Sequence, residues 1–322
     1  MAESKIPIIA VVGPTASGKT SLAVELCKHY GAEAVSCDSM QIYKGMDIAT
    51  AKPTKDEMQG IPHHLIGFAE PDEPFSVAKY CELAKGVISD INRRGKKVVL
   101  VGGTGLYYSS LTDNIEFFPD ETDFEYREQL KKRAETEGIQ ALLDELRIVD
   151  PEAAANLHIN NAGRIIRALE IYHSTGKTKT MQNELSRKNP TPFSTVAICL
   201  DARNRQFLYD RINRRVDIML EMGLLDEAKH FFESSLGSTA GQAIGYKELY
   251  PYLKGEKSLN ECIENLKMQT RRYAKRQLTW FRRDEKIKFV YIDDYSNGKE
   301  LFDAVCKIIE RSADNERQGQ TS

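Results

Sequence analysis

Cysteine is scarce and scattered in this chain of 322 residues. The six (Cys27, Cys37, Cys81, Cys199, Cys262, Cys306) form no C-x-x-C pair. Neither a disulfide framework nor a zinc site is suggested, and a reducing cytoplasm is the simplest setting. No apolar run approaches the ~18 residues of a membrane-spanning helix. Met1–Pro7 has neither a long apolar core nor an Arg-rich amphipathic presequence, so secretion, organelle import and a membrane partner lack support. Internal repeats are absent. Formal net charge is only −2, which does not advertise a nucleic-acid binder. An RNA partner therefore requires positive charge concentrated locally. Hydrophobic content of 41% and charged content of 29% exclude a disordered or membrane-embedded chain. The length suggests one large or two modest domains.

What is present begins with Gly13-Pro14-Thr15-Ala16-Ser17-Gly18-Lys19-Thr20, which fits G-x-x-x-x-G-K-[ST]. A strand-like stretch from Ile6 to Val12 precedes it and a helix-like stretch from Ser21 to Tyr30 follows. That context makes it a credible phosphate-binding loop. Successive backbone N–H groups form an anion-holding concavity, and the helix N-terminus adds its dipole. Lys19 supplies a point charge, and the Thr20 hydroxyl is suited to Mg²⁺. The competing reading is a Gly-rich turn without a ligand.

Three short β-like runs come early, Ile8–Val12, Ala34–Cys37 and Lys97–Val101, with helical patterns between them, notably Ser76 to Arg94. This alternation predicts an α/β fold, a P-loop-type parallel sheet flanked by helices. The runs end in the phosphate loop, in Asp38-Ser39-Met40-Gln41 and in Gly102-Gly103-Thr104-Gly105. These loops should gather along one sheet edge, where ligands bind. From about 119 to 190 strand signals vanish, predicting an all-helical insertion. Asp150-Pro151 marks a helix start within it, one helix ends near Gly176, and Lys177–Pro192 reads as a loop. The core, 1–118 and 191–312, resumes with a strand at Thr195–Leu200. Helices run to about Arg283, followed by a strand at Phe289–Ile292 and a helix at Leu301–Ile309. The polar segment 313–322 is expected to be disordered.

Most P-loop proteins transfer a phosphoryl group and carry a second acid at the tip of another strand. Here Lys97–Val101 ends in Gly102-Gly103, and the acid follows the second run as Asp38. A guanine-reading N-K-x-D is absent. An ordinary GTPase or motor ATPase is disfavoured; a small-molecule kinase is not excluded. The loop recognises diphosphate whatever hangs from it. If the substituent is alkyl, diphosphate is a leaving group, and fixed donors stabilise the charge that grows on it. Positive charge is indeed concentrated, in Lys267–Lys288 and in Arg203, Arg205, Arg211, Arg214 and Arg215. Lys267, Arg271 and Lys275 are spaced for one helix face, while Leu266, Tyr273 and Trp280 suit a buried one. His63 and His64 lack a third metal ligand at suitable spacing and fit loop packing.

The ordered set GPTASGKT, DSMQIY, ATAKP (Ala49–Pro53), HHL (His63–Leu65) and VGGTGLY is similar to that of the tRNA dimethylallyltransferase (tRNA isopentenyltransferase) family. The likeness continues through Gly163–Glu170, Arg211–Leu224, Ile244–Glu248 and Thr270–Trp280. Without a Cys/His pattern for a C-terminal zinc finger, the chain resembles the short bacterial type. The resemblance implies transfer of a dimethylallyl group from dimethylallyl diphosphate to N6 of the adenosine 3′ of the tRNA anticodon, with Mg²⁺ as cofactor and a monomer expected. It implies Asp38 as general base, with a helix cap or metal-shell carboxylate as alternative, and Thr104 at the reacting centre, with a turn residue as alternative. Ser39, Met40 and Gln41 would meet the adenosine. Arg211 and Arg215, four apart, would serve diphosphate or RNA phosphate. Gly163, Arg164, Ile165, Ile166 and Arg167, then Ala243, Ile244, Gly245, Tyr246 and Lys247, would contact tRNA, with Arg127 a weaker candidate and Arg271 and Lys275 on the basic face. Rival readings are a prenyltransferase acting on free adenine nucleotides, a P-loop kinase, or a silent RNA-binding protein.

Overall fold

The computed structural model describes residues 5–117, 123–234, 236–237 and 239–319. The chain divides into two compact units, 1–112 with 191–322, and 113–190. The 119 boundary expected for the insertion lies outside the described residues.

The first unit opens with β1 (Ile6–Val12), α1 (Lys19–Tyr30), β2 (Ala32–Ser36), α2 (Lys55–Met58), β3 (His63–His64), α3 (Val77–Arg93), β4 (Lys97–Gly102) and α4 (Gly105–Thr112). The second holds α5 (Phe124–Thr136), α6 (Ile139–Val149), α7 (Pro151–Ala155), α8 (Ala162–Thr175) and α9 (Lys179–Ser186). The first then resumes with β5 (Phe193–Asp201), α10 (Arg205–Glu221), α11 (Leu224–Phe232), α12 (Tyr250–Leu253), α13 (Leu259–Phe281), β6 (Lys288–Tyr291) and α14 (Gly298–Gly319). The chain is α/β, as expected. Among the described residues no helix is long and apolar enough to cross a membrane.

The six strands run β3-β2-β4-β1-β5-β6, and every neighbouring pair is parallel. Parallel strands covered on both faces read as continuous apolar runs; Ile8 to Val12 are all buried. Register aligns the strand ends. Val12 pairs with Gly102 on one side and Cys199 on the other, and Ser36 pairs with Val101. The loops after β1, β2 and β4 therefore leave the same edge side by side. Gly13 must be glycine there: its φ is +138°, and an added Cβ would lie 2.5 Å from the Leu200 carbonyl oxygen.

The second unit has its own core, in which Leu130, Leu142, Leu146, Ile165 and Leu169 are buried. Asp150 caps α7 through the Ala153 amide at 3.1 Å, with Pro151 in the first turn, and Gly176 ends α8. Two expectations need correction. The stretch read as a loop from Lys177 contains α9, capped by Thr178. Its buried residues are Gln182 and Ser186, so it lacks an apolar period to announce it. The segment expected to be disordered from 313 continues α14 as far as Gly319, and 320–322 lie outside the described residues. The two-residue β3 was too short to show any strand pattern.

Candidate active site

In the phosphate loop, Ala16 and Gly18 take left-handed φ values of 62° and 93°. Lys19 folds back, its Nζ donating to the Pro14 carbonyl at 2.6 Å, and the Ser17 hydroxyl donates to the same oxygen at 2.9 Å. Burial lowers the Lys19 ammonium to a pKa of about 8, and the nearby Arg215 charge pushes the same way while Asp38 opposes it. Arg211 Nε donates to the Ala16 carbonyl at 2.8 Å. The Arg211 guanidinium of α10 thus reaches the loop backbone.

Asp38 follows β2. The protein around it pushes its carboxyl above the usual aspartate range, although the Met40 and Gln41 amides and the Lys19 charge favour the ionised form. Those amides donate to Asp38 Oδ1 at 2.9 and 3.4 Å. The Asp38 carboxylate shares its surroundings with two cations, Lys19 and Arg215, an arrangement suited to accepting a proton at the edge of an anion site. Thr104 stands behind the next residue. Its Oγ1 accepts from the Ser39 amide at 2.9 Å and lies 3.2 Å from the Ser39 hydroxyl, and it is hydrogen-bonded to Tyr273.

Lys19, Asp38, Ser39 and Arg215 border one cavity of about 390 Å³, within the size range of small-ligand sites, whereas Thr104 and Arg211 stand behind its wall. Lys19, Thr20 and Asp38 form its polar end. Ala49, Ala51, Pro53, Val216, Met219 and Ile244 add apolar wall, and Thr270, Tyr273, Arg276 and Gln277 present one face of α13 to it. A family model described as IPP transferase matches residues 41–284. The chain belongs to the IPP transferase family. Relatives called tRNA dimethylallyltransferase include one from Thermoanaerobacter sp. (strain X514), 50% identical over 94% of this chain and 98% of its own. Another, from Bacillus velezensis (strain DSM 23117 / BGSC 10A6 / LMG 26770 / FZB42), is 46% identical over 96% of this chain and 100% of its own. The solved full-length tRNA isopentenylpyrophosphate transferase from Bacillus halodurans superposes with TM-score 0.71 at 44% identity, covering 97% of this chain and 100% of that one. A eukaryotic dimethylallyltransferase acting on tRNA gives TM-score 0.76 at 29% identity, covering 92% and 77%.

In this IPP transferase the cavity gathers Thr15, Lys19, Thr20, Asp38, Ser39, Met40, Gln41, Arg215, Ala243, Ile244, Gly245 and Lys247. Other expected site residues lie elsewhere. Tyr246 is buried with its hydroxyl on Glu227 Oε1 at 2.8 Å. Arg271 donates to Asn213 Oδ1 at 2.6 Å. Lys275 is exposed beside a smaller cleft with Arg203, Arg205 and Arg282. In the second unit, Arg127 and Arg167 both bind the fully buried Glu170, at 2.7–2.9 Å. Ile165 and Ile166 are core there, which leaves Gly163 and Arg164 exposed from that segment. Neither histidine is in a loop: His63 borders the cavity from β3, and His64 Nε2 lies 2.7 Å from Glu33 Oε2.

Sequence reasoning missed Gln277, Tyr273, Arg276 and Glu227. The first three share a helix face with Leu266 and Thr270, and that spacing was the available signal. The sequence pattern assigns Leu266, Tyr273 and Trp280 on it to the core and counts Arg276 only within the basic run. Trp280 does pack inward, since a Cβ at Gly105 would stand 2.2 Å from its ring.

Proposed function

We propose that this IPP transferase moves the dimethylallyl group of dimethylallyl diphosphate to N6 of the adenosine 3′-adjacent to the anticodon in tRNA, releasing diphosphate. It acts as a cytoplasmic monomer. The observation that carries this reading is the placement of Asp38 and the phosphate loop on one partly apolar cavity. The names of the relatives agree with it.

The N6 lone pair attacks the allylic carbon, the C–O bond breaks, and diphosphate departs with the bonding pair. The N6 amine is a weak nucleophile because its lone pair is delocalised into the purine. Asp38 takes its proton, a contribution of order 10²–10⁴ in rate. The raised affinity of Asp38 for a proton suits it to this task. Lys19, Arg215 and the loop amides hold the departing oxygens, where charge grows in the transition state. Arg211, anchored on the Ala16 carbonyl, steadies the loop. Thr104 orients Ser39 from behind. The target base is extruded from the loop of the RNA into the cavity, at a cost of a few kcal/mol. There it meets Ser39, Met40 and Gln41. Gly163 and Arg164 from one segment, and Ala243, Ile244, Gly245 and Lys247 from the other, contact the surrounding RNA.

The protein groups also suit Mg²⁺. Thr20 would hold it through its hydroxyl on the cavity wall, which leaves Asp38 free to act as base. Among the described residues no cluster of three or more His, Cys, Asp or Glu forms a closed cage. Mg²⁺ favours such open sites, completing its shell with phosphate oxygens and water. Held there, the ion would supply charge neutralisation to the diphosphate.

Incubation with dimethylallyl diphosphate and Mg²⁺, with tRNA or AMP in parallel, followed by mass spectrometry of nucleosides, tests the reading. Prenylated adenosine is expected in tRNA and not in AMP. Unmodified tRNA would sink the proposal.

A further inference from the structure

The carboxylate of Glu227, on α11, accepts hydrogen bonds from three consecutive backbone amides, Asp47, Ile48 and Ala49, at 3.0, 2.8 and 2.9 Å. The Tyr246 hydroxyl donates a fourth at 2.8 Å. Four donors match the roughly four lone-pair sites of a carboxylate. Every donor is neutral, so this is a backbone clamp and not an ion pair.

The chain it grips runs directly into the cavity wall, which Ala49, Thr50, Ala51 and Pro53 line. From the cavity side Gln41 holds the same segment. Its Nε2 donates to the Thr50 and Ala51 carbonyls at 3.3 and 3.1 Å. This decides which end of the Gln41 amide points where: the NH₂ faces those carbonyls, and Oε1 lies 3.4 Å from the Ser36 hydroxyl. The opposite wall is tied in as well, because Tyr246 belongs to the segment carrying Ile244 and Gly245. At Gly245 an added Cβ would approach the Ala49 Cβ to 2.9 Å.

We propose that Glu227 is a positioning residue for adenosine recognition. Through the amides of 47–49 it sets the Thr50 and Ala51 carbonyls. Through those carbonyls it sets the Gln41 amide that an entering purine meets. The inference rests on the cavity's assignment to adenosine.

Glu227→Gln is the sharpest test. It keeps the shape but turns an NH₂ toward N–H donors, so part of the clamp becomes donor against donor. Steady-state kinetics should show KM for tRNA raised roughly tenfold or more, the scale of losing hydrogen bonds to a charged group. KM for dimethylallyl diphosphate should stay within about twofold, because the phosphate loop is not touched. In a double-mutant cycle with Gln41→Ala the two losses should be non-additive, since one acts through the other. Hydrogen exchange at 47–49 should quicken. Tyr246→Phe removes only one of the four bonds and should give the same pattern more weakly, which covers the case of a Gln variant that does not fold. Equal rises in both KM values, additive losses, or unchanged tRNA KM with faster exchange would overturn the proposal. A wild-type protein that prenylates no tRNA defeats the underlying assignment instead, and is recognised before any variant is made.

Discussion

The amide of Thr15, in the phosphate loop, donates to the side-chain carbonyl of Gln277 at 3.0 Å. The other end of that side chain donates to the Gly103 carbonyl at 2.9 Å. A Cβ at Gly103 would stand 2.2 Å from Gln277 Nε2, so a side chain there would push the Gln277 amide out of this position. One buried side-chain amide from α13 therefore joins the loop after β1 to the loop that bears Thr104.

Gln277→Ala leaves the Thr15 N–H and the Gly103 carbonyl without partners in a buried setting. The expected cost is ~2–3 kcal/mol of stability, seen as a lower urea midpoint. Gln277→Glu keeps the acceptor for Thr15 but places a carboxylate oxygen against the Gly103 carbonyl. It should therefore weaken the Gly103 side of the bridge and leave KM for the prenyl donor less disturbed than Gln277→Ala does.

Asp38→Asn should lower turnover by roughly 10²–10⁴ while prenyl-donor binding persists. The same change should stabilise the fold at neutral pH. Asp38 holds its proton more tightly folded than unfolded, so its contribution is full below the unfolded pKa and is lost as pH rises through the raised folded pKa. Above its unfolded pKa the wild type must either bury a charge or hold a proton that the unfolded chain releases, and the variant does neither. A melting-temperature gain at pH 7 that shrinks in acid is the expected result; a variant less stable at pH 7 would contradict it.

The parts of the site legible in the sequence were those built from consecutive residues. The spacing Gly13 to Thr20 dictates a loop, and Asp38 follows directly on a strand, so neither needs tertiary knowledge. Gln277 and Glu227 act through hydrogen bonds to segments as far as 262 and about 180 residues away along the chain, and no local pattern encodes such partners. The basic face of α13 illustrates the opposite error. Lys267, Arg271 and Lys275 share a helical spacing, yet two of the three are already engaged within the protein. In the same way Arg127 and Arg167 looked available until Glu170 was found buried between them.

Glu33 should govern part of the acid stability. Its carboxyl is lowered from 4.5 to about 2, chiefly by hydrogen bonds from Arg94, with His64 adding to the effect against the opposing cost of burial. Both Arg94 bonds are short, 2.5 and 2.8 Å. A depressed carboxylate contributes stability above its unfolded pKa and loses it as pH falls through the folded one. The window is therefore from about 4.5 down to about 2. Glu33→Gln should lower the urea midpoint at pH 7 and flatten its fall across that window.

Salt dependence separates the cations of α13. Each phosphate engaged releases counterions, so tRNA affinity should fall as salt rises, and deleting one phosphate contact should reduce the logarithmic slope by about 1. Lys267 Nζ lies 2.8 Å from Asp217 and 3.4 Å from Glu264, and its side chain is only 16% exposed. Removing it deletes an internal ion pair. Lys275, two turns further along, is exposed, and its ammonium has no partner among the described residues. It shares its cleft with Arg203, Arg205 and Arg282, of which Arg203 is paired with Asp294 and Arg282 with Asp201. Lys275→Ala should therefore lower the slope by about 1 and weaken binding alike for all tRNA substrates. Lys267→Ala should change stability and leave the slope in place. Binding measured by filter retention between ~50 and ~200 mM salt decides the matter, because an unchanged slope for Lys275→Ala would remove this end of α13 from the RNA interface.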